Sequence, residues 1–206
     1  MTDVASVVLG YHLLSRLAYV VYVGVALKAQ ERSGYFTRRW GLEEGFRRFR
    51  RAAAIVMYND AVSFVVLCLV SANTLRVGLP RGPAIVIGAV LVVLGVSTKL
   101  WAAVTLGSKA YYWYDFFTAA RATPNTGGPY RFLNNPMYTV GYVQMYGLAL
   151  VVASLPGLGA ALIDQAAILT FHRWVEEPHF DRWSGRAGSA QLGEPPAVRE
   201  DVSSTD

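Results

Sequence analysis

The chain has 206 residues, of which 53% are hydrophobic and only 16% charged, with a formal net charge of +5 at pH 7. A typical soluble domain carries about 25% charged residues, so this composition argues against a soluble globular protein. The length favours a single domain. The one cysteine, Cys68, excludes an intrachain disulfide and a cysteine-based metal site, and we interpret it as a small buried apolar residue.

The apolar residues are concentrated in long runs. Three runs each exceed the roughly 20 residues that cross a bilayer core: 4–27, 52–75 and 83–106. Two weaker runs, 136–154 and 157–174, predict a C-terminal helical hairpin. We therefore predict an all-α fold, a polytopic membrane helical bundle with about five transmembrane helices. Residues 1–6 lack lysine and arginine, which favours a retained first span over a signal peptide.

Eight of the nineteen lysine and arginine residues lie in the connection 28–51 between the first two spans. Positive loops favour the cytoplasmic side, which places the N-terminus outside and puts residues 107–135 and the C-terminus in the cytoplasm. Because these basic residues flank membrane segments, we expect the bilayer as their partner and no nucleic acid. Within the connection, residues 33–51 fit either an amphipathic interfacial helix or a plain loop anchored by aromatic residues.

Several ionisable residues fall inside the predicted spans, where contact with lipid is costly. Asp60 and Lys99 lie at matching depths on the second and third spans, so we predict that they face each other and pair. Arg16 lies deeper and could either join them or reach a lipid phosphate, whereas His12 is expected to be a satisfied interior histidine. If the chain were a transporter, Asp60, Lys99 and Asp164 could line an ion path.

Three polar and aromatic clusters follow the third span, and together they could form one pocket at the cytoplasmic face: 107–117, 127–138 and 171–180. Asn135-Pro136 predicts a helix start whose free N–H groups suit a carboxylate or phosphate, to which Arg131 could add bidentate contacts. The aromatic residues in 111–117 fit either an interfacial belt or a cage for a cation.

Two glutamates, Glu176 and Glu177, stand just before Pro178 at the predicted end of the final helix. Acidic side chains are disfavoured at a helix C-terminus, so a bound cation or the basic loops should compensate them. His172 and His179 flank Glu176 at helical spacing. Pro178 interrupts the helix and no further ligands are evident, so we predict no metal site.

The ordered motifs resemble a known superfamily. Gly128-Pro129-Tyr130-Arg131 is followed by Asn135-Pro136-Met137-Tyr138, by the hairpin, and by Glu176-Glu177-Pro178. This order resembles the isoprenylcysteine carboxyl methyltransferase superfamily, and most of all its phospholipid N-methyltransferase (phosphatidylethanolamine methyltransferase-like) branch. The resemblance covers roughly residues 100–183. Carboxyl methyltransferases carry a histidine where this chain has Asn135, which argues against a mechanism that relies on imidazole.

The resemblance implies S-adenosylmethionine as the cofactor, bound by residues of the C-terminal region: Glu176, Glu177, Arg131, Asn135, Tyr130 and Gly128. Eukaryotic phospholipid members also carry an upstream Gly-x-Gly motif, where this chain has only Gly107. We accordingly divide the chain into a three-helix membrane region at 1–106, a methyltransferase-like region at 107–183 and a disordered tail at 184–206.

Methyl transfer from a sulfonium is an in-line displacement that depends on alignment of the reactants. A lipid ammonium must first lose a proton, and Glu176, Tyr138 and Asp115 are the candidate acceptors. We assign lipid contacts to Tyr112, Trp113, Lys109 and Tyr142. The sequence thus predicts a membrane methyltransferase acting on a phospholipid amine such as phosphatidylethanolamine. The alternatives are an isoprenoid or lipidated acceptor, a nicotinamide-dependent sterol reductase, and a non-enzymatic transporter.

Overall fold

A computed structural model describes residues 3–76, 80–118, 127–133 and 135–182. The predicted disordered tail at 184–206 lies outside these described residues. Across the described ranges every regular element is a helix. The α-helices follow one another in the order α1 Asp3–Ser33, α2 Tyr35–Trp40, α3 Leu42–Val70, α4 Arg81–Tyr111, α5 Val143–Val151 and α6 Leu155–Phe171.

Three helical segments are long and apolar enough to cross a membrane: Asp3–Ser33, Leu42–Val70 and Arg81–Phe116. Large apolar side chains cover their outer surface, as at Val7, Ile55 and Val104, which are 71%, 69% and 81% exposed. Such a surface is suited to lipid rather than to water. The helical membrane bundle predicted from the sequence is therefore confirmed, and α5 and α6 form the predicted C-terminal hairpin, with 9 and 17 residues respectively.

The basic connection is helical rather than a plain loop. Residues Tyr35–Trp40 form α2, and α3 begins at Leu42, directly after Gly41. Gly41 has a φ of 75°, a conformation that glycine adopts at little cost and that lets the chain turn sharply between the two helices. The Trp40 ring then lies under the guanidinium groups of Arg39 and Arg48, 5.2 and 5.1 Å from their central carbon atoms.

Helices α4 and α5 approach so closely that their backbones touch. A Cβ atom added to Gly147 would lie 2.6 Å from the Gly88 carbonyl oxygen, and one added to Gly88 would lie 2.7 Å from the Gly147 oxygen. Further along α4, a Cβ at Gly95 would lie 2.5 Å from the Gln144 backbone nitrogen. Small residues at such crossings allow tight van der Waals packing, which is a main source of helix association in membranes.

We expect Gly147→Ala to lower the free energy of unfolding by about 1–3 kcal/mol, because the added methyl group forces α4 and α5 apart. Gly159→Ala on α6 is the matched control, since a Cβ there meets nothing within 4 Å. Thermal unfolding of the detergent-solubilised variants measures the difference. Equal unfolding temperatures for the two variants would show that the close crossing is not under steric constraint.

Two helix boundaries differ from the prediction. The first helix of the hairpin does not begin at Pro136: residues 135–139 form turns, Val140–Tyr142 a 3₁₀ turn, and α5 begins only at Val143. Thr139, with φ −101° and ψ −94°, interrupts any helix that Pro136 could begin. At the other end, the chain stays helical to residue 182, through a π-helical turn at His172–Glu176, so Glu176 and Glu177 do not end a helix.

Candidate active site

A buried network of charges ties α1, α3 and α6 together inside the bundle. Arg16 reaches Asp60 through Nη2, at 2.6 Å, and donates from Nε to Asp164, at 2.9 Å. His12 lies 3.1 Å from the other Asp164 oxygen and 2.8 Å from the Ser63 hydroxyl. All five side chains are buried. His12 is thus a satisfied interior histidine, as the sequence indicated.

The predicted Asp60–Lys99 ion pair is wrong in its partner, although both residues line the same space. Arg16 occupies the position beside Asp60, because its guanidinium group can reach two carboxylates at once while a lysine presents a single point charge. The ammonium group of Lys99 lies instead over the Tyr142 ring, 4.9 Å from the ring centroid. The guanidinium group of Arg16 lies 6.0 Å from the same ring centroid, so Tyr142 stands next to both cations.

A cavity of about 940 Å³ runs from this network to the end of the bundle that carries the polar clusters. We call the part beside Arg16, Asp60 and Lys99 its inner half and the part beside the polar clusters its outer half. Its walls come from α1, α3, α4, α5 and α6 and from the turns that follow α4. Eight residues assigned to the site from the sequence line it: Tyr112, Trp113, Asp115, Tyr130, Asn135, Tyr138, Tyr142 and Glu176. The neighbourhoods of residues 112, 135 and 176 therefore do meet in one chamber.

A kink in α4 directs the first aromatic cluster over the cavity. Gly107 has a φ of 73°, so the helix axis changes direction there and resumes toward Tyr111. At Trp113 the chain turns again with a φ of 57°, which is uncommon for a bulky side chain. Strained backbone of this kind persists where the surrounding structure enforces it, often at functional sites. The Trp113 ring is buried against Phe171.

Glu176 is the polar centre of the outer half of the cavity and is only 6% exposed. Its Oε1 accepts hydrogen bonds from the Trp113 indole, at 2.5 Å, and from the Tyr138 hydroxyl, at 2.8 Å. Its Oε2 lies 2.5 Å from His172 Nδ1. The carboxylate is therefore fixed in orientation by three side chains from three different segments of the chain. Its negative charge favours a cation in the adjoining space.

Asn135 and Tyr130 form the wall contributed by the second cluster. Asn135 has a φ of 58°, and its side-chain nitrogen is buried without a hydrogen-bond partner among the described residues. An unsatisfied buried donor is costly, so it marks a position where a ligand acceptor would be stabilised. Burial, together with the charge of Glu176, raises the pKa of Tyr130 to about 12, so its hydroxyl stays protonated at neutral pH and can donate.

Four residues assigned to the site do not line the cavity. Gly128 packs against α4, where a Cβ would lie 2.3 Å from Thr105 Oγ1. Arg131 is exposed, with its guanidinium over the adjacent Phe132 ring, and Lys109 lies 4.0 Å from Glu43. The Glu177 side chain is 52% exposed, 3.6 Å from His172 Nε2. The two adjacent glutamates thus have different environments.

The sequence did not assign site roles to Arg16, Lys99 or His172, all of which line the cavity. His172 could have been identified by its position one helical turn before Glu176. Arg16 and Lys99 were interpreted as charges inside the spans and not as part of the methyltransferase site, because nothing in their local sequence indicates a shared cavity. No group of three or more His, Cys, Asp or Glu residues is placed to hold a metal ion within the described ranges.

Residues 83–186 match the family described as phospholipid methyltransferase. The chain is similar to the phosphatidylethanolamine N-methyltransferase of Podospora anserina, 31% identical over 83% of this chain and 19% of the relative. It is also similar to those of Debaryomyces hansenii, 26% identical over 86% and 21%, and Schizosaccharomyces japonicus, 29% identical over 68% and 16%.

The chain thus spans about a fifth of the length of the curated relatives it matches. No solved structure gives a significant match. The family match begins near the start of α4, so it contains every cavity-lining residue after that point, including Glu176. Arg16 and Asp60 lie before it.

Proposed function

Because this chain belongs to the phospholipid methyltransferase family, we propose that it transfers methyl groups from S-adenosylmethionine to the amine of a phospholipid headgroup such as that of phosphatidylethanolamine. The observation that carries this proposal is the single cavity that joins the clusters around Tyr112, Asn135 and Glu176. A cavity of about 940 Å³ is at the upper end of small-molecule sites, so it can hold a methyl donor beside a headgroup.

The residues of the outer half suit a cationic methyl donor. Aromatic faces and a fixed carboxylate both attract a sulfonium ion. We assign the binding of the methyl donor to Glu176 and to four residues that line the same part of the cavity: Tyr138, Trp113, Tyr130 and Asn135. When bound, S-adenosylmethionine supplies an electrophilic methyl group. The chain contributes position, charge and exclusion of water.

The lipid would enter from the side, between α3 and α4. Both helices line the cavity, yet in the described part of the chain they barely touch each other. Tyr58 of α3 lines the cavity while remaining 72% exposed at the lipid-facing surface. We place the outer half of the cavity, and the basic connection beside it, at the cytoplasmic leaflet, with the N-terminus outside, because positive loops favour that side.

Glu176 is better suited to holding a cation than to accepting a proton from substrate. Both of its oxygens are already engaged by Trp113, Tyr138 and His172. Asp115 also lines the cavity, and within the described ranges its carboxylate accepts no hydrogen bond, although the charge of His179 acts on it. A carboxylate with free acceptor positions can take a proton directly or through water. We therefore assign proton acceptance from the lipid ammonium to Asp115.

Equilibrium titration of the purified protein in nanodiscs with S-adenosylmethionine and, separately, with NADPH tests the cofactor. We expect saturable binding of S-adenosylmethionine and none of the nicotinamide. The opposite pattern would favour the sterol reductase alternative, and binding of neither would favour a non-enzymatic protein. Assays with phosphatidylethanolamine and an isoprenoid acceptor then distinguish the two kinds of methyl acceptor.

A further inference from the structure

The inner half of the cavity has no role in the proposed donor site, although three charged residues line it: Arg16, Asp60 and Lys99. Asp60 of α3 and Lys99 of α4 both line it, and they stand on the two helices that flank the lateral gap. Charged side chains at this depth are costly in a membrane protein and are usually functional.

Asp60 has one oxygen with a partner and one without. Its Oδ2 pairs with Arg16 at 2.6 Å, whereas its Oδ1 is buried and accepts no hydrogen bond from any residue in the described ranges. The whole residue is 4% exposed. A buried carboxylate oxygen without a donor loses the hydration it had in water, so a ligand N–H group placed there would be strongly favoured.

The ammonium group of Lys99, in turn, has no anionic partner within hydrogen-bond distance in the described part of the chain. This group lies over the Tyr142 ring and forms no hydrogen bond or ion pair with another residue that the structure describes. The Lys99 stem is held in place by close contact with the turn at Gly141, where a Cβ atom would lie 2.7 Å from Lys99 Cγ. The side chain is therefore positioned, and its charge remains available to an anion.

We propose that the inner half of the cavity is the headgroup site of the acceptor lipid, with Asp60 Oδ1 binding its ammonium group and Lys99 its phosphate. The proton of that ammonium group then passes to Asp115 through water in the same cavity, which leaves the amine neutral for methyl transfer. This inference rests on the proposed function and adds the substrate contacts. A zwitterionic headgroup carries both charges that these two side chains require, an ammonium group for Asp60 and a phosphate for Lys99. The acyl chains would lie in the gap between α3 and α4, next to both residues.

The amino-acid part of S-adenosylmethionine also carries an ammonium group and an anion. The lateral gap favours the lipid, because a lipid headgroup must stay attached to chains in the bilayer, whereas a soluble donor has no need of a lipid-facing opening. The two sources are separable by experiment, since one predicts a change in the KM of the lipid and the other a change in the Kd of the donor.

The test compares Asp60→Asn and Lys99→Met with the wild-type protein in mixed micelles. We expect the KM for phosphatidylethanolamine to rise at least about tenfold in each variant, as for the loss of a charged hydrogen bond, with the Kd of S-adenosylmethionine unchanged. Arg81→Met, which removes one positive charge from the first turn of α4 outside the cavity, is the control and should leave both constants unaltered.

A second comparison uses a long-chain primary amine without a phosphate as the methyl acceptor. Its methylation should be insensitive to Lys99→Met but still weakened by Asp60→Asn. If Asp60→Asn does not fold, Lys99→Met decides alone, because Lys99 is not part of the Arg16 network.

An unchanged lipid KM in Lys99→Met, or a weakened donor Kd in place of a raised lipid KM, would overturn the assignment while leaving the proposed function intact. A wild-type protein that binds S-adenosylmethionine but methylates no amine lipid would overturn both.

Discussion

Replacing Glu176 with glutamine is expected to lower kcat/KM for methyl transfer by about 100-fold, or ~2.7 kcal/mol. The carboxylate is buried and holds the Trp113 indole, the Tyr138 hydroxyl and His172 in one arrangement. An amide keeps the size of the side chain but removes the negative charge, and its NH₂ group cannot accept a hydrogen bond. The variant therefore loses both the attraction for a cationic donor and the fixed geometry of the outer half of the cavity.

Glu177→Gln is the matched control. The same chemical change is made one residue away, on a side chain that is half exposed and lies outside the cavity. We expect a loss of less than about fivefold, which is typical of an exposed ion pair. Donor titration and initial rates measured on both variants give the comparison. Equal losses in the two variants would mean that both glutamates contact the donor, contrary to the placement of Glu177.

Replacing Asp164 with asparagine is expected to cost about 3–5 kcal/mol of stability, the range for breaking a buried ion pair. Asp164 is fully buried and binds Arg16 and His12 with its two oxygens. Without its charge, Arg16 keeps only Asp60 as a counter-ion, and one of its buried donors faces a weaker acceptor. The loss should appear as a marked fall in unfolding temperature in detergent.

Asp181→Asn controls for the removal of one negative charge, since Asp181 is exposed beyond the end of the network. It should unfold within experimental error of the wild-type protein. If Asp164→Asn unfolds at that same temperature, the network does not hold α1 and α6 together, and the role of Arg16 as a buried structural cation is wrong.

The sequence predicted the helical class and the meeting of three distant clusters because both follow from local patterns, namely the apolar runs and the side of the membrane on which each polar cluster falls. Long apolar runs specify spans wherever they occur. The depth of Asp60 and Lys99 was predictable from helical rise, but the identity of the Asp60 partner was not. That partner, Arg16, comes from α1, and only tertiary packing decides that a guanidinium reaches Asp60 before an ammonium does.

The sequence could not decide which of the two glutamates faces inward. Adjacent helical residues point in directions about 100° apart, and the π-helical turn at His172–Glu176 shifts the phase of the helix just before Pro178. The same limit applies to the expected helix start at Pro136, where the non-helical conformation of Thr139 and the close approach of Gly141 to Lys99 postpone α5 to Val143. Such features depend on neighbours far away in the chain.

The central claim is tested most directly by methyl transfer in a defined membrane. The purified protein would be reconstituted with phosphatidylethanolamine and given S-adenosylmethionine labelled in its methyl group, and the extracted lipids would be separated by headgroup. We predict label in the N-methylated products of phosphatidylethanolamine, at a rate that saturates with donor and falls in Glu176→Gln. Label that never enters an amine headgroup, while the protein still binds the donor, would contradict the account.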